Sequence, residues 1–188
     1  MLRKANLKDM PAMMFMIGQA QAFLSHLQIN QWQNGYPSSV IIEQDIQNGN
    51  AWVLEDNNTL IALAVVAFAI EPTYLKIYNG SWLTDGDYAV IHRLTVHEQW
   101  KGKGIGTLLF EKIETLAKMR NVQSIRVDTH QDNFIMRKLI TKSGYQYCGE
   151  IFLEDGQPRL GYEKVLTKIF LPQNQEKSTI FATNKIKS

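Results

Sequence analysis

The sequence predicts an α+β domain: a mixed, mostly antiparallel sheet flanked by helices, with a βαβ unit at its centre. Three observations carry this reading. Paired runs of β-forming residues are joined by turn formers at Asp56-Asn57-Asn58 and at Asp155-Gly156. Between these hairpins, a strand-like run, Tyr88–Val96, an amphipathic helical stripe and a second strand-like run, Ser124–Thr129, follow one another. Two helical segments precede the first hairpin, so the order reads β, α, α, β, β, β, α, β, α, β, β.

Each element has a local cause. Leu2–Ala5 reads as a short first strand, and Asp9 precedes a helix from Met10 to Leu27 with Met13, Met14, Ile17, Ala20 and Phe23 near helical spacing. Pro37-Ser38-Ser39 breaks the chain and caps a second helix through Ile46. Ala51–Glu55 and Thr59–Ala69 form the first hairpin, and Pro72–Gly86 is irregular. After Tyr88–Val96, a loop at His97–Lys103 leads into a helix starting near Gly104. Its stripe is Ile105, Leu108, Leu109, Ile113, Leu116 and Ala117, and Asn121 stops it. Asn133–Ser143 is a helix ended by Gly144. Tyr145–Leu153 and Pro158–Val165 form the last hairpin.

A chain of 188 residues with 45% hydrophobic and 20% charged residues suits one globular domain, read as 1–168, with a polar tail at 169–188. A formal net charge of +2 gives no basic stripe for nucleic acid. No run reaches the roughly 18 apolar residues of a membrane span. The N-terminus lacks the apolar run of a signal peptide, and Cys148 is the single cysteine, so the expectation is a cytoplasmic protein without nucleic-acid or membrane partners. The sequence leaves a homodimer open.

The strongest feature is Lys101-Gly102-Lys103-Gly104-Ile105-Gly106-Thr107, where a basic, glycine-rich loop opens an amphipathic helix. Glycines let the backbone turn and approach a ligand closely. The first N–H groups of a helix have no internal partners and, with the macrodipole, attract anions. A phosphate-bearing ligand is the natural guest. The loop lacks the Gly-Lys-Ser/Thr ending of a nucleotide P-loop. Its Gly-x-Gly-x-Gly spacing departs from the dinucleotide fingerprint, although Asp128 lies where a ribose-binding acid would sit.

Leu94-Thr95-Val96 followed by Lys101-Gly102-Lys103-Gly104-Ile105-Gly106 resembles the acetyl-CoA signature of the GCN5-related N-acetyltransferase (GNAT) superfamily, with Lys101 in place of the usual Arg or Gln. Asp128-Thr129-His130, Asn133 and Gly144-Tyr145 match in order downstream, and the resemblance covers roughly Leu2–Lys164. It implies acetyl-CoA as acyl donor, no metal, contacts from Leu94, Thr95 and Val96 to the pantetheine arm, Lys101–Thr107 on the pyrophosphate, and Asn133 on the CoA arm. It also implies direct attack by a primary amine, of a small molecule or peptide, with no covalent enzyme intermediate; Cys148 is then a structural thiol.

Family members often use a Glu base on the strand before the loop, and His92 matches that position. Strand alternation sets His92, Leu94 and Val96 on one face. Glu71 and then His130 are further candidate bases. The tyrosine that many members use as general acid corresponds to Ile140, which leaves Tyr145 as the nearest candidate. The aromatic and amide groups of Gln31-Trp32-Gln33-Asn34-Gly35-Tyr36, with Tyr74, Trp82 and His130, form the expected acceptor pocket. Two rival functions stand beside the transferase: an acyl-CoA sensor without turnover, suggested by Ile140, and a dinucleotide binder, suggested by Asp128.

Overall fold

The computed structural model describes residues 1–167, so the tail read at 169–188 lies outside the described residues. Seven strands form one sheet: β1 (Leu2–Lys4), β2 (Ala51–Asp56), β3 (Thr59–Ala67), β4 (Tyr88–Val96), β5 (Ser124–Thr129), β6 (Gln146–Phe152) and β7 (Pro158–Val165). Four α-helices accompany them: α1 (Met10–His26), α2 (Ser39–Gln47), α3 (Ile105–Met119) and α4 (Phe134–Lys142). The sheet order is β1-β2-β3-β4-β5-β7-β6. Every pairing is antiparallel except β4 with β5, which α3 connects.

The helices cover both faces. On β3, Ala62, Ala64 and Val66 pack under Leu109, Phe110, Ile113 and Ala117 of α3 and Ile140 of α4. Leu63 faces the other way, with Met13, Met16 and Ile17 of α1 and Ile42 and Ile46 of α2. This is the period-two alternation of a strand buried on both sides.

The elements end where local chemistry ends them. Asn57 and Asn58 both adopt positive φ, 45° and 61°, which lets the β2–β3 hairpin turn tightly. The Ser38 hydroxyl accepts the Ile41 N–H at the start of α2. Gly144, at φ 86°, closes α4, and the Tyr145 N–H still bonds back to the Ile140 carbonyl. Tyr145 therefore belongs to the cap, and β6 begins one residue later than the sequence suggests. β3 likewise stops at Ala67 rather than Ala69, where the chain leaves the sheet toward the 3-10 turn Pro72–Tyr74.

The irregular connection from β3 to β4 is held down by ions and hydrogen bonds. Glu163 on β7 is 0% exposed. Its carboxylate accepts from Arg126 Nε at 3.1 Å, from Thr84 Oγ1 at 2.8 Å, from the Ser124 hydroxyl and from the Leu83 and Thr84 amides. The Arg126 guanidinium lies 3.9 Å from the Tyr88 ring centroid and 4.4 Å from that of Trp82. One buried carboxylate thus joins the loop to β5 and β7. Glu163→Ala leaves the Arg126 charge and two loop amides without their partner. The expected loss is about 3–5 kcal/mol of unfolding free energy, read by urea denaturation; a loss under about 1 kcal/mol would show that the network contributes little.

Candidate active site

The parallel pairing of β4 and β5 runs from Tyr88↔Ser124 only to Ile91↔Val127. β4 continues to Val96, so its last five residues have no partner on that side. The same stretch carries a bulge. Val65 pairs with His92 and Leu63 with Thr95, so Arg93 and Leu94 stand opposite Ala64 alone. Arg93 absorbs the extra residue at φ 51°. Its Nη1 lies 3.2 Å from an Asp45 oxygen on α2, and its guanidinium lies 5.6 Å from the Tyr36 ring centroid.

The bulge overturns the expected alternation. Leu94 and Val96 pack on the α3 side of the sheet. His92 pairs with Val65, which alternation sets on the same face as Leu63, the α1–α2 side. The bulge therefore separates the proposed base from the two residues expected beside it.

Where β4 and β5 part, a cleft of about 600 Å³ opens. Leu94, Thr95 and Val96 form one side, and Ala20, Phe23 and Leu24 of α1 with Trp100 make it largely apolar. The glycine loop closes one end. Gly102 and Gly104 sit at φ 75° and 80°, a left-handed backbone that favours glycine. Leu108 is the first residue to donate back along α3, to the Gly104 carbonyl. Among the described hydrogen bonds, the amides of Gly102 to Thr107 donate to nothing. A Cβ on Gly102 or Gly104 would meet no protein atom within 4 Å; one on Gly106 would sit 2.8 Å from Leu139 Cδ2. Gly106 thus serves the close approach of α3 to α4.

Lys101, Ile105, Gly106 and Thr107 line the cleft. Lys101 Nζ lies over the Phe23 ring at 4.2 Å. Lys103 lies over Trp100 at 5.1 Å and is not a lining residue. Asn133 lines the opposite wall, where its Oδ1 caps α4 by accepting the Met136 N–H and its Nδ2 donates to Gln31 Oε1 at 2.8 Å. Sequence reasoning missed this wall. Ile135, Met136, Lys138, Leu139 and Lys142 of α4 all face the cleft. The i, i+4 spacing of Lys138 and Lys142 beside Met136 and Leu139 was the available signal.

The two leading base candidates form one unit. His92 Nε2 and Glu71 Oε2 lie 3.0 Å apart, both partly exposed. Glu71 also accepts from the Thr73 hydroxyl at 2.9 Å and amide at 3.3 Å. The hydrogen bond from His92 holds the Glu71 carboxyl down at about 2, against the opposing effect of burial.

The remaining candidates scatter. Trp32 lines the cleft. Tyr36 is exposed at the end of the α1–α2 loop. Tyr74 is buried, donates to Asp128 Oδ1 at 2.6 Å and accepts the Trp82 indole N–H on its carbonyl at 2.9 Å. Tyr74 and Trp82 therefore build the core beneath the loop rather than an open pocket, and the acid a dinucleotide would need is taken by Tyr74. His130 Nδ1 accepts the Asp132 amide, and burial with the Arg159 charge lowers its pKa. Tyr145 lies in the core under α3, 5.1 Å from the Phe110 ring. Its buried hydroxyl has no partner among the described residues, and its pKa is raised by burial. It does not line the cleft, and Ile140 is also in the core, so neither supplies the missing acid. Burial pushes the Cys148 thiol up to about 11, which suits a structural role.

Among the described residues, no group of three or more His, Cys, Asp or Glu could hold a metal, and no helix is long and apolar enough to cross a membrane. The family model described as "Acetyltransferase (GNAT) family" matches residues 21–145. A GNAT-family acetyltransferase from Streptococcus agalactiae is 33% identical, with a TM-score of 0.83 over 89% of this chain and 96% of that one. A GNAT-family acetyltransferase from Listeria monocytogenes is 19% identical, with a TM-score of 0.69 over 88% and 94%. A ribosomal-protein-alanine N-acetyltransferase from Brucella melitensis is 18% identical, with a TM-score of 0.63 over 88% and 99%; these two likenesses concern the fold. No curated protein matches the chain significantly. Split sheet, glycine-opened helix and family match agree: the chain belongs to the GNAT family of acetyltransferases.

Proposed function

We propose that the protein is an N-acetyltransferase that takes acetyl-CoA into the cleft beside α3 and passes the acetyl group to a primary amine of a small molecule or peptide. The observation that carries this is the row of unclaimed amides from Gly102 to Thr107, opening onto an apolar cleft where β4 and β5 part. The residues present fit the ligand. The α3 amides and dipole suit a diphosphate. Lys101, Lys138 and Lys142 bring positive charge to the same cleft. The edge of β4 beyond Ile91, unpaired by β5, offers backbone groups to the pantetheine amides.

Bound there, acetyl-CoA supplies a thioester carbonyl open to amine attack, a C–N bond forming as the C–S bond breaks. The amide beside Leu94 is the donor proposed to polarise that carbonyl. His92 accepts the ammonium proton, and Glu71 holds the imidazole in orientation. Ile140 and Tyr145 stay in the core, and no other residue is assigned to protonate the sulfur. Time-resolved thiol release with acetyl-CoA and an amine panel tests the whole reading; tight CoA binding without release on any amine would make the protein a sensor instead.

Three outcomes are expected. Gly104→Val places a side chain in the open space of the cleft at a backbone φ of 80°. It should cost about 1–2 kcal/mol of stability and abolish CoA binding measured by calorimetry; unchanged affinity in a folded variant would remove the loop from the site. His92→Ala should lower kcat about 100-fold while sparing acetyl-CoA affinity, and wild-type rates would remove His92 from the mechanism. Glu71 has its carboxyl pKa lowered on folding from 4.5 to about 2. It therefore contributes stability that is complete above about pH 4.5 and is lost as pH falls toward 2. Glu71→Gln lacks this contribution, so the gap in Tm between wild type and variant should narrow as pH falls from about 5 to 2; a constant gap would refute the coupling.

A further inference from the structure

Two arginines are buried among the described residues, and they differ in one respect. Arg126 is paired with Glu163 at 3.1 Å. Arg159, on β7 and 7% exposed, joins no ion pair with a described residue. Its only described hydrogen bond runs from Nη1 to the Pro158 carbonyl at 2.8 Å. Its other donors are not among the sealed, unpartnered atoms, so they keep an opening to solvent. A guanidinium that has given up most of its water without a hydrogen-bonded carboxylate is costly to keep, and Asp128 and Asp155 act on it only at a distance.

The sheet places this group with the catalytic dyad. Asp128 pairs with Gly161 and Thr129 with Leu160, so continuing the register sets His130 level with Arg159. Ile91 pairs with Val127, which sets His92 level with Asp128. Alternation puts His92, Asp128, His130 and Arg159 on the face away from α3. The contacts are continuous: the Tyr74 ring centroid is 6.4 Å from that of His92, and the Tyr74 hydroxyl donates to Asp128. Arg159 feels Asp128, Asp155 and Tyr36, and its charge reaches His130. From β4 to β7 is two strand spacings, about 10 Å, a span that a short molecule with an amine at one end and an acid at the other can bridge.

We propose that Arg159 anchors a carboxylate of the acceptor, so that the substrate is a small amine that also bears a carboxylate, its amine toward His92 and its acid on the guanidinium. Arginine offers paired donors that match a carboxylate in plane. His130, level with Arg159 on the neighbouring strand, stands beside the same position. The assignment rests on the acetyltransferase reading above and deepens it.

The experiment uses the full-length protein, acetyl-CoA and matched amines with and without the acid: L-alanine, L-methionine, L-phenylalanine, β-alanine and glycylglycine against their carboxamides, followed by thiol release. The expected result is a kcat/KM at least about tenfold higher for acids than for their amides, a size consistent with one charged hydrogen-bonded pair. Arg159→Gln should bring the acid-to-amide ratio close to one, mainly through KM, with acetyl-CoA affinity by calorimetry retained. Arg159→Lys, which keeps the charge but not the fork, should retain part of the preference and covers the case in which the glutamine variant does not fold. Equal rates on acids and amides in the wild type, an unchanged ratio in a folded variant, or no turnover of any acid while acetyl-CoA binds would each overturn the assignment. Failure to bind acetyl-CoA at all would instead overturn the acetyltransferase reading.

Discussion

The site depends on where β4 and β5 stop pairing. Up to Ile91 and Val127 they form an ordinary parallel ladder; beyond it, β4 carries on alone. The bulge at Arg93 is coupled to this change. It turns the strand, offsets its alternation and places Ile91 and Leu94, three residues apart, on the α3 side. A left-handed arginine is costly for the backbone. Asp45 on α2 and the Tyr36 ring hold its side chain where the bulge needs it. The α1–α2 loop also lines the cleft through Gln31 and Trp32, whereas α2 contributes no lining residue and acts only through Arg93.

The opening acts through α3. A strand that ended flush with its neighbour would deliver the helix against the sheet edge, with its first amides facing protein. Here the loop after Val96 makes a 3-10 turn at Glu98–Trp100, then passes two left-handed glycines before the helix begins. The first amides therefore open onto the gap with no described acceptor. Gly106 has a different task, because only a residue without Cβ lets α4 come close enough for Leu139 to seal the far wall. Three glycines that read as one phosphate motif divide between backbone conformation and helix packing.

Much of this was legible in the sequence. β4, β5 and β7 occupy the residues expected of them, because their β-rich runs are bounded by turn formers or glycine. The place of the glycine loop, between a strand and an amphipathic helix, was legible because its glycines stand immediately before the apolar stripe of α3. The bulge was not, since nothing in the composition of His92-Arg93-Leu94 demands a positive φ at arginine, and a one-residue offset exchanges faces. Gln31 was read only as part of an amide-rich stretch; its bond to Asn133 spans from the α1–α2 loop to α4. Tyr145 is the tyrosine nearest in sequence to Ile140, but a strand-starting aromatic belongs more often to the core. The α4 cap turns it inward beneath Phe110.

Unsatisfied polar groups separate structure from function only when charge and access are weighed together. The Tyr145 hydroxyl and Trp52 indole N–H are buried without partners among the described residues, yet both are neutral and sealed, so a missed hydrogen bond of about 1–3 kcal/mol each is a tolerable packing cost. Arg126 is charged and buried, but Glu163 and two aromatic rings answer it, which makes it a clamp for the loop. Among the described residues, Arg159 alone combines burial and charge with donors that no described ion pair engages, on the face that carries the His92–Glu71 pair. A fold that can satisfy one buried arginine this completely has the means to satisfy another. Leaving the second without a described ion pair fits the role proposed for it, in which a carboxylate of the acceptor completes the fork.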